Sequence, residues 1–555
     1  MDVKILLPSP VRNALRGFAV VIALPAAGLA AALGAEPAAP SALEPGDLQK
    51  AGSVDFPVTC APAAKPEFVH GIALLHSFFY EEARRIFTSV AEEDPTCAMA
   101  QWGIGMTWWH PIWTPPTPEE MSAGRAASDK AMAMGGGTDR ERGFIRALHT
   151  YYNTPEDPSA SPVGQSCHGP VGPLYRVAAY EKAMREVHAR YPDDFETQVF
   201  YALAVLSVGY ATPSDATLSN QLRAAARAYG AIAPWVPHAL HMPSHIFTRL
   251  GMWDESIAAN LAAAGAARAY AAKRHRQATE SEELHGLDYL VYSYLREAQD
   301  TKAAGVLAFV RSVRKTNPEL EFTAAYSLAA IPARCALERK AWVEAATIPM
   351  PDLPHWSKFP FLEAFFEYAH AMGRARSGDR DGARMAIDRM QRLRDATTEI
   401  NFEYFKRHLD LQIQAASAWV AFSEGKTDEA TDRLRHAADS EDGLGKPPVS
   451  PGALIPIREQ LGDLLLERGR PMEALNAYQA ALKIYPGRFQ GLYGAGLSAE
   501  RLGDGKTALR YYGKLAQQTV KADGSRVDLA HAREFVDATR KTAPPWESAT
   551  QGVAQ

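Results

Sequence analysis

The sequence predicts an all-α fold, an irregular solenoid of antiparallel helical hairpins, and three observations carry that expectation. Marker residues recur 34 positions apart near the C-terminus, strand-period alternation is nearly absent, and 555 residues are too many for one compact core. Leu461, Gly462, Ala474, Tyr478, Ala481 and Pro486 are followed by Gly496, Ala508 and Tyr512, which repeat Gly462, Ala474 and Tyr478 at a constant offset of 34. Glycine and alanine suit positions where two helices cross closely, the tyrosine fills the gap beside them, and proline closes the unit.

This period and these markers are those of the tetratricopeptide repeat (TPR), so residues 446–520 read as two regular TPR units. Taking alanine as the close-contact residue of each second helix, looser units centre on Ala430, Ala383, Ala345, Ala303, Ser256 and Tyr180. Their uneven spacing makes 174–445 an irregular TPR-like stretch. Residues 58–113 form N-terminal hairpins carrying Gly71, Ala83, Phe87 and Pro95. Between them, 114–173 holds TPPTP, the glycines Gly135 to Gly137, and SPVGQSCHGPVGP. Pro/Gly punctuation at this density predicts a loop-rich insert. A last helix and a tail occupy 521–555.

At the other end, Lys4, Arg12 and Arg16 precede an apolar run from Phe18 to Leu33, and small residues around Ala30 to Ala35 offer a cleavage zone. Residues 1–35 therefore read as a signal peptide, with 36–57 a polar Ala/Pro linker. The mature chain is expected outside the cytoplasm, most simply in a bacterial periplasm. No second apolar span of 18 residues follows, so no membrane contact is expected once the signal is removed. Four cysteines suit an oxidising compartment. Cys60 precedes the first helix and Cys97 opens a helix one repeat later, so these two are the expected disulfide; Cys167 and Cys335 are left unassigned.

Composition narrows function. A net charge of −5 with 22 % charged residues leaves no basic footprint for nucleic acid. CxxC, P-loop, strand-borne GxGxxG and GxSxG patterns are absent from the sequence. The run HALHMPSHIFTRLGMW carries more: in one helix, His238, His241 and His245 would share a face. Counted from Ser256, they take repeat positions 2, 5 and 9 of a first helix, with Arg249 at 13. Counted from Ala303, the same positions hold His285, Asp288 and Tyr292, with Arg296 at 13.

In TPR proteins these positions line the groove, so the eight residues form the expected ligand site. His238, His241, His245, His285 and Asp288 are candidate ligands of a divalent metal, Zn²⁺ or another first-row ion. Arg249 and Arg296 suit a small anion equally, and packing or capping histidines remain a third reading. If the helix begins at Pro243, a favoured first-turn residue, His238 and His241 fall on the entering segment. A secondary groove is expected around His76, Trp109 and His110, where aromatic residues at helical spacing also suit a core.

The segments CAMAQWGIGM, AYEKAM…YPDD, PHALHMPSHIFTRLGMWDESI, ELHGLDYLVYSYL and REQLGDLLLERGRPMEAL resemble a widespread group of bacterial, mostly exported TPR proteins. The resemblance spans nearly all of the mature chain and implies a TPR solenoid without implying an activity. It also implies a departure. Members carry a further histidine-bearing unit of type HPG…HY.IH.YD before this motif, whereas here Gln221–Ala226 runs directly into Arg227–Gly230. The expected function is a periplasmic TPR binding or scaffold protein for a protein or peptide partner, with a metal-dependent, hydrolytic enzyme as the alternative. No cofactor is required by the sequence.

Overall fold

The computed structural model describes residues 54–111, 116–155, 165–166, 169–170, 174–208, 233–274, 276–319, 321–353, 356–398, 402–444 and 450–542. The expected signal peptide, the expected linker up to residue 53, Cys167, the Gln221–Gly230 stretch and the tail from 543 lie outside these residues. The helices, in chain order, begin with α1 (Lys65–His76), α2 (Tyr80–Glu93), α3 (Ala98–Trp109), α4 (Pro118–Met134), α5 (Asp139–Asn153), α6 (Leu174–Arg190) and α7 (Phe195–Val208). Next come α8 (Pro237–His241), α9 (Pro243–Leu250), α10 (Trp253–Lys273), α11 (Ser281–Arg296), α12 (Asp300–Ser312), α13 (Phe322–Glu338) and α14 (Trp342–Ala345). The series ends with α15 (Pro360–Ser377), α16 (Arg380–Ala396), α17 (Glu403–Ser423), α18 (Thr427–Leu444), α19 (Ile457–Glu467), α20 (Pro471–Ile484), α21 (Phe489–Arg501), α22 (Gly505–Gln518) and α23 (Val527–Thr542). Among the described residues strand is confined to two-residue pieces, an antiparallel pair at Gln165–Ser166 and Gly169–Pro170 and a parallel pair at Thr279–Glu280 and Thr316–Asn317. No helix among the described residues is long and apolar enough to cross a membrane.

The fold is an all-α, TPR-like array of helical hairpins, in two compact units. The first takes the described chain up to Ile246 and Ala262 onward to residue 274; the second takes Phe247–Leu261, Arg276–Thr398 and the chain from Phe402.

In the first unit each helix from α1 to α7 packs on the next, and α1 also reaches α3. The repeat chemistry is visible in α1–α3: a Cβ added at Gly71 or at Gly103 would fall within 2.7 Å or 2.6 Å of the Phe87 ring, so one aromatic is clasped by two glycines. Phe56, Phe68, Trp102, Phe144 and Phe200 form the core, the Phe56 ring centroid lying 5.6 Å from those of both Phe68 and Phe144. The linker expectation therefore fails at its end. Phe56 is buried among the rings of Phe68, Trp102, Phe144 and Phe200, and the Arg140 guanidinium covers its ring at 4.3 Å.

The loop-rich insert is corrected more fully, since α4 and α5 occupy Pro118 to Asn153. Thr117 with Glu120, and Thr138 with Glu141, build complete capping boxes that satisfy the exposed amides of each first turn. The three glycines merely end α4, Gly135 taking φ 84° at its C-cap. Cys60 and Cys97 are joined, with Cα atoms 4.7 Å apart.

In the second unit α11, α13, α15 and α17 pack successively on one another, as do α19 and α21, while each pairs with the helix that follows it. The close-contact residues Ala303, Ala345, Ala383, Ala430, Ala474 and Ala508 are all buried on second helices. At the two regular repeats the glycines meet tyrosine rings: a Cβ at Gly462 or Gly494 would lie 2.8 Å or 2.2 Å from Tyr478, and one at Gly496 2.4 Å from Tyr512. Tyr478 is further held by its hydroxyl, which donates to Asp463 Oδ1 at 2.6 Å.

A ring clasped on both sides and tethered at its tip cannot yield. Gly494→Ala is therefore expected to lower stability by about 1–3 kcal/mol despite alanine's better helix propensity. Gly513→Ala, where a Cβ meets nothing within 4 Å, is expected to be neutral or to stabilise by up to about 1 kcal/mol. Urea unfolding of the two variants checks the contrast; equal midpoints would remove the steric account of the repeat.

Candidate ligand and metal sites

Pro243 decides how the histidines are presented. Having no amide hydrogen and a fixed φ, it starts α9 and leaves α8 as a separate short helix, itself opened by Pro237. Met242 between them keeps helical dihedrals, so the path is interrupted without being redirected. His238 and His241 stand on α8, at its start and end, and His245 in the first turn of α9. All three are buried.

His241 Nε2 and His245 Nε2 are 3.0 Å apart. Two neutral imidazoles at this distance share one hydrogen, one ring donating and the other accepting. Two nitrogens on a tetrahedral zinc, each at about 2.0–2.1 Å, would be separated by roughly 3.3 Å, so the pair needs only a small relaxation to ligate an ion. The Ser244 hydroxyl lies 3.3 Å from His241 Nδ1. If Nδ1 donates to Ser244, the Nε2 lone pair faces His245, which is the tautomer a metal requires. His238 packs nearby, its ring centroid 5.6 Å from that of His241 in a tilted contact and 5.5 Å from that of Phe78 edge-on. Burial holds its pKa down at about 3, so it stays neutral at all ordinary pH.

The secondary groove residues are placed apart in role. Trp109 is core, stacked on Tyr151 at 4.2 Å and edge-on to Tyr180 at 4.4 Å. His76 meets Glu196 at 2.6 Å. His110 ends α3 in the left-handed region at φ 52°. Burial pushes its pKa down to about 4, with Arg84 adding to the effect and Glu120 opposing it.

In the second unit, α11 carries His285, Asp288, Tyr292 and Arg296, all buried rather than open along a groove. The physical reason is charge matching that periodicity does not reveal. Asp288 Oδ1 accepts from Arg334 Nε at 3.3 Å. The Tyr292 ring is covered by the Arg296 and Arg334 guanidiniums at 4.2 Å and 5.1 Å. Arg296 donates to Glu338, which Arg488 also grips through two bonds of 2.7 Å and 2.9 Å. Arg488 in turn donates to both oxygens of Glu459 at 2.8 Å. Arg249, on the stretch of α9 that belongs to this unit, is half-buried. Arg334, Glu338, Glu459 and Arg488 escape a sequence reading because they come from three different hairpins, on α13, on α19 and at the start of α21.

A cleft of about 350 Å³, counted with its mouth, lies among the first helices of successive hairpins in this unit. Its walls include Lys340, Trp342, Arg376, Trp419, Asp463 and Gln490. It was not among the sites the sequence suggests.

Scans of the sequence against protein-family models and against curated proteins return no match. Among solved structures the chain is similar to a tetratricopeptide repeat protein from Parabacteroides merdae, at 12% identity over 55% of this chain and 98% of that one, with a TM-score of 0.29. It is also similar to yeast Tom70, at 13% identity over 88% and 99% with a TM-score of 0.28. A third is the P58(IPK) TPR domain, at 12% identity over 86% and 99% with a TM-score of 0.21. The repeat assignment rests on this chain's own glycine–aromatic clasps and hairpin packing.

Proposed function

We propose that this chain is an exported, periplasmic TPR-type binding protein whose histidine cluster holds a divalent first-row ion, zinc being the best match, within a scaffold that engages a protein or peptide partner. The observation that carries the metal reading is the pair of Nε2 atoms of His241 and His245, 3.0 Å apart and backed by Ser244. His238 supplies a neutral neighbour. Asp288 and Arg296 have a different part here: their charges are matched within the second unit, which disfavours a small anion at those residues.

Purified mature protein is expected to carry about one equivalent of zinc by elemental analysis. His241→Ala and His245→Ala should each abolish stoichiometric loading with the helical circular-dichroism signal retained. Ser244→Ala should weaken affinity by roughly 10–100-fold through the lost second bond to His241. Loading should fall as pH drops below about 6, where protons compete for the imidazoles. Wild-type protein that takes up no first-row ion from excess metal would overturn the proposal.

A further inference from the structure

The cleft in the second unit carries a separate inference, independent of the histidine cluster. Its charges are already neutralised in the walls. Arg376 donates from both terminal nitrogens to Glu467, at 3.1 Å and 2.6 Å, and Lys340 donates to Asp463 at 3.0 Å. What is left over is neutral in character: Arg376 Nε is a buried donor and Gln490 Oε1 a buried acceptor, and neither has a hydrogen-bond partner. The Gln490 amide orientation is set by its Nε2, which donates to Asp528 at 3.3 Å. Gln490 is 4% exposed. Its orphaned oxygen therefore has no bulk water to compensate it, and such a group costs about 1–3 kcal/mol when left unmatched.

The remaining surfaces define the shape. The Arg376 guanidinium lies over the Trp419 ring at 4.3 Å and 5.6 Å from that of Trp342. Leu337, Met372 and Ile455 add apolar wall. The interior is narrow and takes a flat group of a few atoms rather than a whole metabolite. Gln460 offers nothing further, because it accepts from Trp419 and donates to Tyr368 and the Ile455 carbonyl.

We propose that this cleft recognises a neutral carboxamide, the side-chain tip of a glutamine or asparagine in a partner peptide. The carboxamide oxygen would accept from Arg376 Nε, its NH₂ would donate to Gln490 Oε1, and its methylenes would lie on the apolar wall. A carboxylate of the same shape could not donate to Gln490 and would face Asp463. An aliphatic tip would leave both orphaned groups unmatched.

The test uses the full mature chain labelled with 5-fluorotryptophan, with the Trp342 and Trp419 resonances assigned by single Phe substitutions. It is titrated with N-acetyl-glutamine amide, N-acetyl-glutamate amide and N-acetyl-leucine amide. The glutamine compound is expected to move those two resonances saturably and to bind about tenfold more tightly than the other two. Gln490→Met, which keeps side-chain length and removes the acceptor, should abolish the preference with the helical circular-dichroism signal retained. Should that variant fail to fold, Arg376→Lys, which keeps a charge toward Glu467 but lacks Nε, carries the same expectation. Equal or tighter binding of the glutamate compound, or no saturable shift with any of the three because the cleft holds only an ordered water, would overturn the proposal.

Discussion

Replacing Glu338 by alanine is expected to lower the stability of the second unit by about 3–5 kcal/mol, the usual result of stripping one partner from a buried ion pair. The carboxylate is 2% exposed and is gripped by Arg296 from α11 and Arg488 from the start of α21. Burial alone would push its pKa up, but the two guanidiniums outweigh burial and hold it at about 2. Without it both arginines remain buried with charge uncompensated, although Glu459 still serves Arg488. The pH dependence has a definite sign. A carboxylate depressed in the folded state contributes stability above its unfolded value, about 4.3, and loses it as pH falls toward 2. Wild type should therefore weaken between pH 4 and 2 more steeply than Glu338→Gln, measured by urea midpoints. A Glu338→Ala variant as stable as wild type would show that the network is ornamental.

Opening the Cys60–Cys97 bridge is expected to cost the first unit about 4 kcal/mol, within the usual range of roughly 2–5. The cysteines are 37 residues apart in sequence, so the bridge removes substantial freedom from the unfolded chain. It also ties the entering segment, which delivers Phe56 to the core, to the start of α3. Cys60→Ser/Cys97→Ser should then unfold at a markedly lower urea concentration than wild type, and reductant should reproduce the effect in wild type alone. Peptide mapping of protein purified under non-reducing conditions that finds both thiols free to alkylate would refute the bridge.

Much of the fold was legible from local chemistry. Gly462, Gly496, Tyr478 and Tyr512 announced the hairpins because a close helix crossing accepts few residue types, and Gly71 with Phe87 marked the first unit by the same rule. The tyrosine that fills the gap is met directly by the glycines, Gly462 and Gly494 at Tyr478 and Gly496 at Tyr512. Residues 118–153 were misread because proline and glycine density outweighed two Thr-x-x-Glu capping boxes that stood in plain view. Phe56 was assigned to a linker because a single apolar residue among alanines and prolines carries no periodicity.

The sequence by itself determined the helical hairpins and their register, the cysteine pair, and the side-by-side placement of His241 and His245, since each follows from spacing along one or two adjacent helices. Only the tertiary structure decided which groove positions kept their chemistry. It matched Asp288 with Arg334 and Arg296 with Glu338, and it left Arg376 Nε and Gln490 Oε1 without partners in a narrow cleft. The physical reason is the range of the interactions. Helix formation and close crossing are written in neighbouring residues, whereas the partner of a buried charge can come from any hairpin, and its identity is settled only when distant segments exclude water together.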